Sequence, residues 1–254
     1  MKITFLGSGT SHGVPVIGCH CPVCESSDER DKRYRSSIML EKDNKRLVID
    51  TGYEFRLQML RARVDSIDGV LYTHSHADHL SGIDDLRVFT QHKNLPIYGN
   101  EKTIDFIKEH YSYAFYNSIF PGVPHFEANV LAPYEKVNIS GFEILPVTIL
   151  HGRMMKNEIL GYRIDDKFAY VTDVSYMPDK TIESLKGVET LVIGALRKKP
   201  HGAHYSFSEA YSVAKELGAR DIYFTHINHE TSYKEINSLY SDAKSAYDTL
   251  VLEI

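Results

Sequence analysis

Apolar and polar positions along the chain mark a series of short strands broken by a few helices. Residues 1–6 read as an opening strand that runs into the turn Gly7-Ser8-Gly9-Thr10-Ser11-His12-Gly13. This turn lacks the GxGxxG spacing and a following helix, so it fits a nucleotide fingerprint poorly. Residues 36–40 and 46–49 predict a hairpin across Lys42-Asp43-Asn44-Lys45, and Phe55, Met59 and Leu60 mark a short helix after Asp50-Thr51-Gly52. Residues 67–72 form the next strand, 95–98 a short one, and 101–109 a helix with Ile104 and Ile107 inward. Periodicity fails from 111 to 133, where Tyr111, Tyr113, Phe115, Tyr116, Phe120 and Phe126 crowd together; this stretch reads as a loop or irregular lid. Strands resume at 142–148, 159–164 and 168–172, a helix near 180–185 leads to a strand at 190–193, and 221–224 is a strand ending at Thr225-His226. The segment 206–217 is amphipathic, with Ala210, Val213, Ala214 and Leu217 on one stripe and a Ser206/Glu209 capping box at its start. Residues 231–241 predict the last helix. With no repeat, low-complexity tract or linker, the simplest outcome is one α/β domain of two facing sheets covered by helices.

The 34 acidic and 29 basic residues leave a net charge of −5, which gives no overall pull toward nucleic acid or an anionic membrane. No apolar run reaches the roughly 18 residues a membrane span needs, and the apolar start is too short for a signal peptide. The expectation is a cytoplasmic protein with no membrane partner.

The segment His74-Ser75-His76-Ala77-Asp78-His79 carries the strongest chemical signal. Histidine is the commonest ligand for borderline metals and aspartate is a hard oxygen donor, so four such side chains in six residues point to metal. Where the chain turns after its strand, His74 and His76 can converge on one ion while Asp78 and His79 reach a second. A solvated polar loop is the bland alternative. Against it, His151, Asp173 and His226 each follow a strand, where active-site groups are usually supported. His204, just before the 206–217 helix, suits a proton donor to a leaving oxygen or an anion contact; His201 has the weaker claim.

All three cysteines lie within six residues, as Cys19, Cys21 and Cys24, which reads as a metal knuckle rather than a disulfide framework. A closed tetrahedral zinc site needs a fourth ligand, and three thiolates favour a neutral histidine. His20, His12 and His229 are the candidates; His20 is awkward between two bound cysteines, and His229 lies three residues past His226. Arg30, Lys32, Arg33 and Arg35 add local positive charge that either orients the knuckle, meets a phosphate or forms a solvated turn. Arg197, Lys198 and Lys199 offer the same choice.

The HxHxDH run after a strand, followed by later His, Asp and His, resembles the metallo-β-lactamase fold superfamily, with the motif order covering residue 5 to about 230. The resemblance implies a four-layer αββα fold, with two mixed β-sheets between helices, in a single domain over 1–254 with its zinc knuckle near 19–24. It implies two divalent catalytic metals (Mn, Zn or Ni). His74, His76 and His151 would bind one, and Asp78, His79 and His226 the other, with Asp173 bridging beside a water or hydroxide. Residues 9–15, 19–24, 31–37 and 225–230 further resemble the bacterial branch that hydrolyses ribosyl cyclic phosphates in phosphonate breakdown. That likeness implies a structural zinc on Cys19, Cys21, Cys24 and His229, and makes His204 the additional active-site histidine. The expected activity is hydrolysis of small cyclic phosphodiesters, a ribose cyclic phosphate among them, by a bridging hydroxide, with Asp78, Asp173 and His204 in the catalytic machinery. A tRNA 3′-processing-type nuclease, a thioester hydrolase and a non-catalytic cofactor-handling protein are the alternatives; the acidic chain lacks a basic arm to grip RNA. The resemblance is compatible with a homodimer, and the aromatic stretch from Tyr111 to Phe126 would line substrate access or pack against a second subunit.

Overall fold

The computed structural model describes residues 1–91, 93–115, 122–152, 154 and 157–254. Among them, strands form two seven-stranded sheets. The first contains β1 (Lys2–Gly7), β2 (Ser37–Lys42), β3 (Lys45–Ile49), β4 (Gly69–Leu71), β5 (Leu95–Gly99) and β6 (Phe126–Val130) in that order, with β14 (Val251–Glu253) outside β1. The second runs in order from β7 (Val137–Ile139) through β8 (Phe142–His151), β9 (Asn157–Ile164), β10 (Phe168–Val171), β11 (Thr190–Gly194) and β12 (Asp221–Thr225) to β13 (Ala243–Ser245). Antiparallel pairing gives way to parallel pairing from β3 to β6 and from β10 to β13, which makes both sheets mixed.

Side-chain alternation packs the layers. Leu47 and Ile49 of β3 meet Phe168 and Tyr170 of β10 in the core between the sheets. Val48 points the other way, under α1 (Phe55–Ala62) and α3 (Glu101–His110). Ala169 and Val171 likewise face the cover formed by α4 (Asp179–Leu185) and α5 (Phe207–Leu217). Helices therefore flank both sheets, giving the αββα order expected.

Local chemistry sets the boundaries. Asp43 and Asn44 both take positive φ (49° and 61°), as a two-residue hairpin turn requires, and join β2 to β3. The α5 capping box forms: Glu209 Oε2 accepts the Ser206 N–H at 2.8 Å, and the Ser206 hydroxyl accepts the Glu209 N–H at 3.4 Å. Ile104 and Ile107 are fully buried, as predicted.

Two expectations need correction. The stretch 111–133 is not irregular throughout, since it contains the parallel edge strand β6. Phe126, Ala128 and Val130 alternate with Glu127 and Asn129 over only five residues, and pairing with β5 supplies what the low β-propensities of Glu, Ala and Asn do not. Tyr116 and Phe120 lie outside the described residues. The last helix shrinks to α6 (Tyr233–Ile236) because Asn237 stops it: its Nδ2 donates to Tyr233 O at 2.7 Å, and its Oδ1 accepts Ser245 N–H of β13 at 3.3 Å. No helix among the described residues is long and apolar enough to cross a membrane.

Candidate metal centre

His74 lies beyond the end of β4, Asp173 beyond β10 and His226 just past β12, all at C-terminal ends of parallel strands, where open α/β sheets commonly bind ligands. His151 ends β8. After His74 the chain turns directly into α2 (Ala77–Leu80), which carries Asp78 and His79. Gly52 makes room for this turn: a Cβ there would stand 2.3 Å from the Asp78 carbonyl oxygen. Asp50, Asp173 and His226 take left-handed backbone conformations (φ 65°, 52° and 57°), an uncommon choice for residues other than glycine.

These residues meet. His74, His76 and His151 form one group, and Asp78, His79, Asp173 and His226 a second; within each, the ligand atoms lie within 4.8 Å of one another. The groups abut, with ring centroids of His74 and His79 4.3 Å apart. His79 Nε2 lies 3.1 Å from both Asp78 Oδ2 and Asp173 Oδ2, and His226 Nδ1 lies 3.2 Å from the same Asp173 oxygen. Yet His74 Nε2, His79 Nε2 and His226 Nδ1 are buried without a hydrogen bond. Buried polar atoms normally have partners, so unpartnered ring nitrogens in both abutting sets fit sites for cations.

The opposite ring edges explain why those lone pairs face inward. Asp50, fully buried after β3, accepts from Thr73 N–H (2.8 Å), the Thr73 hydroxyl (2.8 Å) and His79 Nδ1 (2.7 Å). Burial pushes its pKa up, but three converging donors keep it an acceptor. Because the Thr73 hydroxyl spends its proton on Asp50, it must accept from His74 Nδ1, 3.0 Å away. One carboxylate thus fixes the tautomers of two imidazoles. The Ala203 carbonyl does the same for His151 Nδ1 at 3.0 Å, and Thr10 Oγ1 holds His226 Nε2 at 3.0 Å.

Burial keeps His74, His76 and His226 below the usual histidine pKa, hence neutral and able to ligate at neutral pH. Burial would do the same to His79, but Asp173, Asp78 and Asp50 outweigh it and raise its pKa well above the ordinary value. Asp173 and Asp78 are held below the usual carboxylate range: burial opposes this, and the neighbouring imidazoles, His226 and His79 for Asp173 and His79 for Asp78, outweigh it. A divalent cation answers the same carboxylates as that proton does.

His204 stands beside these groups, its Nδ1 3.6 Å from Asp173 Oδ1 and its ring 4.9 Å from those of His151 and His226. Burial pushes its pKa down to about 3. His201 stacks on it at 5.4 Å, nearer the surface. Arg197 and Lys198 instead pair with Glu230 and Glu235.

The knuckle closes separately. His229 Nδ1 lies 3.3, 3.4 and 3.5 Å from the sulfurs of Cys19, Cys21 and Cys24. A tetrahedron with bonds of about 2.3 Å to sulfur and about 2.1 Å to nitrogen has edges of about 3.6 Å, so the set fits zinc. His20 turns away to Glu25, and His12 is exposed. Burial raises the Cys24 thiol to about 11; against burial, the Cys24 N–H and His229 draw Cys21 down to about 6.

Sequence reasoning named every member of these groups and missed Asp50, Thr10 and Thr73. Asp50 also follows a strand, the signal that singles out Asp173, but the sequence reading passes over Asp50-Thr51-Gly52 as the lead into a short helix.

Comparison with known proteins agrees with this geometry. The family model described as "Beta-lactamase superfamily domain" matches residues 45–227. A solved structure described as a new diphosphatase from the PhnP family is 40% identical, with a TM-score of 0.91, covering 100% of this chain and 98% of that one. Zn(2+)-bound PqqB from Methylobacterium extorquens superposes with a TM-score of 0.83, covering 100% of both chains; at 17% identity it shows the fold alone. An octanoyltransferase of Porphyromonas gingivalis is 36% identical over 98% of this chain, but the chain spans only 51% of that protein's length.

Proposed function

The chain belongs to the β-lactamase superfamily, close to its PhnP branch, and from that premise we propose that it is a metal-dependent phosphodiesterase acting on small cyclic phosphodiesters. The observation that carries this reading is the convergence of seven ligand groups, spread from His74 to His226, into two abutting sets with unpartnered lone pairs facing inward. We take residues 1–254 as one hydrolase domain. His74, His76 and His151 would hold one divalent ion (Mn, Zn or Ni), Asp78, His79 and His226 another, and Asp173 both. Cys19, Cys21, Cys24 and His229 would hold a structural zinc. When bound, the two catalytic ions supply Lewis-acid charge and make water acidic enough to act as a nucleophile near neutral pH.

The chain's own residues orient the metal ligands and would hydrogen-bond the leaving oxygen. Asp50, Thr73, Thr10 and the Ala203 carbonyl keep the imidazole lone pairs turned inward. His204, on the rim of both sets with its Nδ1 3.6 Å from Asp173 Oδ1 and its ring kept neutral by burial, would offer an N–H as a hydrogen-bond donor to the oxygen that leaves phosphorus. The substrate class is a ribose cyclic phosphate or related diester; the PhnP-family diphosphatase adds a diphosphate to the panel, since the same P–O cleavage serves it. A cytoplasmic homodimer completes the proposal.

The test is turnover by purified protein loaded with Mn²⁺, Zn²⁺ or Ni²⁺ on bis(p-nitrophenyl) phosphate, a ribose cyclic phosphate, a diphosphate, short RNA and a thioester. Hydrolysis of the small diesters, abolished in a folded Asp173→Ala variant, is the expected result. Stoichiometric metal with no cleavage at phosphorus would overturn the reading in favour of metal or cofactor handling.

A further inference from the structure

The basic stretch around Arg33 is not a solvated turn at its centre. The Arg33 side chain is 0% exposed, so it cannot meet substrate. Its backbone pairs in both directions with Val14, on the approach to the cysteine knuckle (2.8 and 2.9 Å). Its Nη1 donates to Asn228 O at 2.9 Å, and its Nη2 to Asp31 Oδ1 at 3.0 Å and Thr231 O at 3.4 Å. Asp31 in turn accepts from Ser26 Oγ, just past Cys24, at 2.9 Å and from Tyr233 N–H at 2.7 Å. One buried ion pair therefore ties the knuckle to the segment 226–233. That segment begins with His226 of the Asp/His set and carries His229 of the cysteine set.

Individual contacts rather than regular structure hold the middle of this segment, among them Cys21 Sγ to the His229 carbonyl at 3.5 Å, the Glu230 N–H to Asn228 Oδ1 at 2.9 Å and the Arg197–Glu230 ion pair at 3.1 Å. Between β12 and α6 it has no regular secondary structure beyond an isolated bridge from Ile227 to Gly9. Its backbone is caught by Ser8 and Thr10 at Ile227, by Leu196 at the Asn228 N–H, and by Arg33 at the Asn228 and Thr231 carbonyls. Gly9 lets Arg33 come so near: a Cβ on it would stand 2.9 Å from both Arg33 Cβ and the Arg33 carbonyl oxygen. The guanidinium fork suits this place because it serves two carbonyls and a carboxylate at once, which a lysine ammonium on a single flexible stem does less well.

We propose that Arg33 is a positioning residue that couples the two metal-ligand sets, so that metal on Cys19, Cys21, Cys24 and His229 fixes His226 for its own ion. The inference rests on the reading that both sets bind metal. Coupling of binding sites is reciprocal, so filling the Asp/His set must tighten the knuckle by the same factor.

The test uses the full chain and reads metal affinity rather than turnover. Affinity of the Asp/His set for Mn²⁺ is measured with the knuckle zinc-loaded and zinc-stripped, in the wild type, Arg33→Met and Arg33→Lys. In the wild type, stripping the knuckle should weaken Mn²⁺ binding by about 5- to 150-fold, the usual range for coupled sites. In Arg33→Met the two measurements should coincide at a weakened affinity; Arg33→Lys should keep part of the difference. A wild type that binds Mn²⁺ equally well with and without knuckle zinc overturns the inference. So does full coupling in Arg33→Met or, if that variant does not fold, in Arg33→Lys. A wild type whose Asp/His set takes up no Mn²⁺, Zn²⁺ or Ni²⁺ overturns the underlying functional reading instead, and the inference with it. Coupling without phosphodiester hydrolysis sustains the inference while removing that reading.

Discussion

Replacing Asp50 by Asn keeps the shape of the side chain and inverts two of its three hydrogen bonds. The carbonyl oxygen can still accept the Thr73 N–H, but the amide NH₂ now occupies the position that accepted from the Thr73 hydroxyl and His79 Nδ1. An NH₂ group cannot accept, so His79 must either clash proton against proton or move its proton to Nε2. That nitrogen is the buried one facing Asp78 and Asp173. The Thr73 hydroxyl, now an acceptor of the amide, turns its own proton toward His74 Nδ1 and favours the wrong tautomer there too. Loss of an outer partner of a metal-binding histidine typically costs about 10- to 100-fold in metal affinity, about 1.4–2.7 kcal/mol. Because Asp50 serves one histidine of each set, Asp50→Asn should lose affinity at both by this amount. The assay is metal content and calorimetric titration of stripped protein, with bis(p-nitrophenyl) phosphate turnover followed against added Mn²⁺. Activity should return partly at high metal. A variant with wild-type affinity and rate would refute the claim that this carboxylate sets the tautomers.

Other variants separate packing from site chemistry. Gly52→Ala places a Cβ against the Asp78 carbonyl and Arg35 Cβ, so equilibrium denaturation should show a loss of about 1–3 kcal/mol, with weaker metal binding as α2 shifts; an unchanged midpoint would contradict the contact. Ser206→Ala removes the α5 cap and should cost about 1 kcal/mol in the same measurement while metal content stays at the wild-type level.

The ligands were legible because their chemistry coincides with a change of chain direction: a strand stops and a His or Asp stands at the stop. Four such stops carry more information than any one. Asp50 stands at a fifth, but Asp-Thr-Gly is also ordinary turn chemistry, and only the placing of Thr73 just past β4 and of His79 in α2 beside it separates the two uses. The glycine-rich turn 7–13 held a similar ambiguity. Its spacing fits a nucleotide fingerprint poorly, and its role of bringing Thr10 to His226 depends on a partner 216 residues away. Arg33 was hidden for the opposite reason: three neighbouring cations suggest water, and burial of one among them follows from the Asp31 carboxylate and two carbonyls from the other end of the chain. The edge strands β7, β13 and β14 are three residues each, too short for alternation to register. They exist because a neighbouring strand offers open backbone groups.

His74, His76, Asp78 and His79 hang from one sheet, while His151, Asp173 and His226 hang from the other. Just ahead of His74, the Tyr162 hydroxyl and the Leu160 N–H of β9 reach across to the carbonyls of Tyr72 and Thr73, at 2.6 and 2.9 Å. Neither half can assemble a coordination shell alone, and a slip of one layer over the other by the width of a single atom would spoil every ion–ligand distance together. Metal uptake during refolding should therefore be a late event, arriving only once the halves have locked into register.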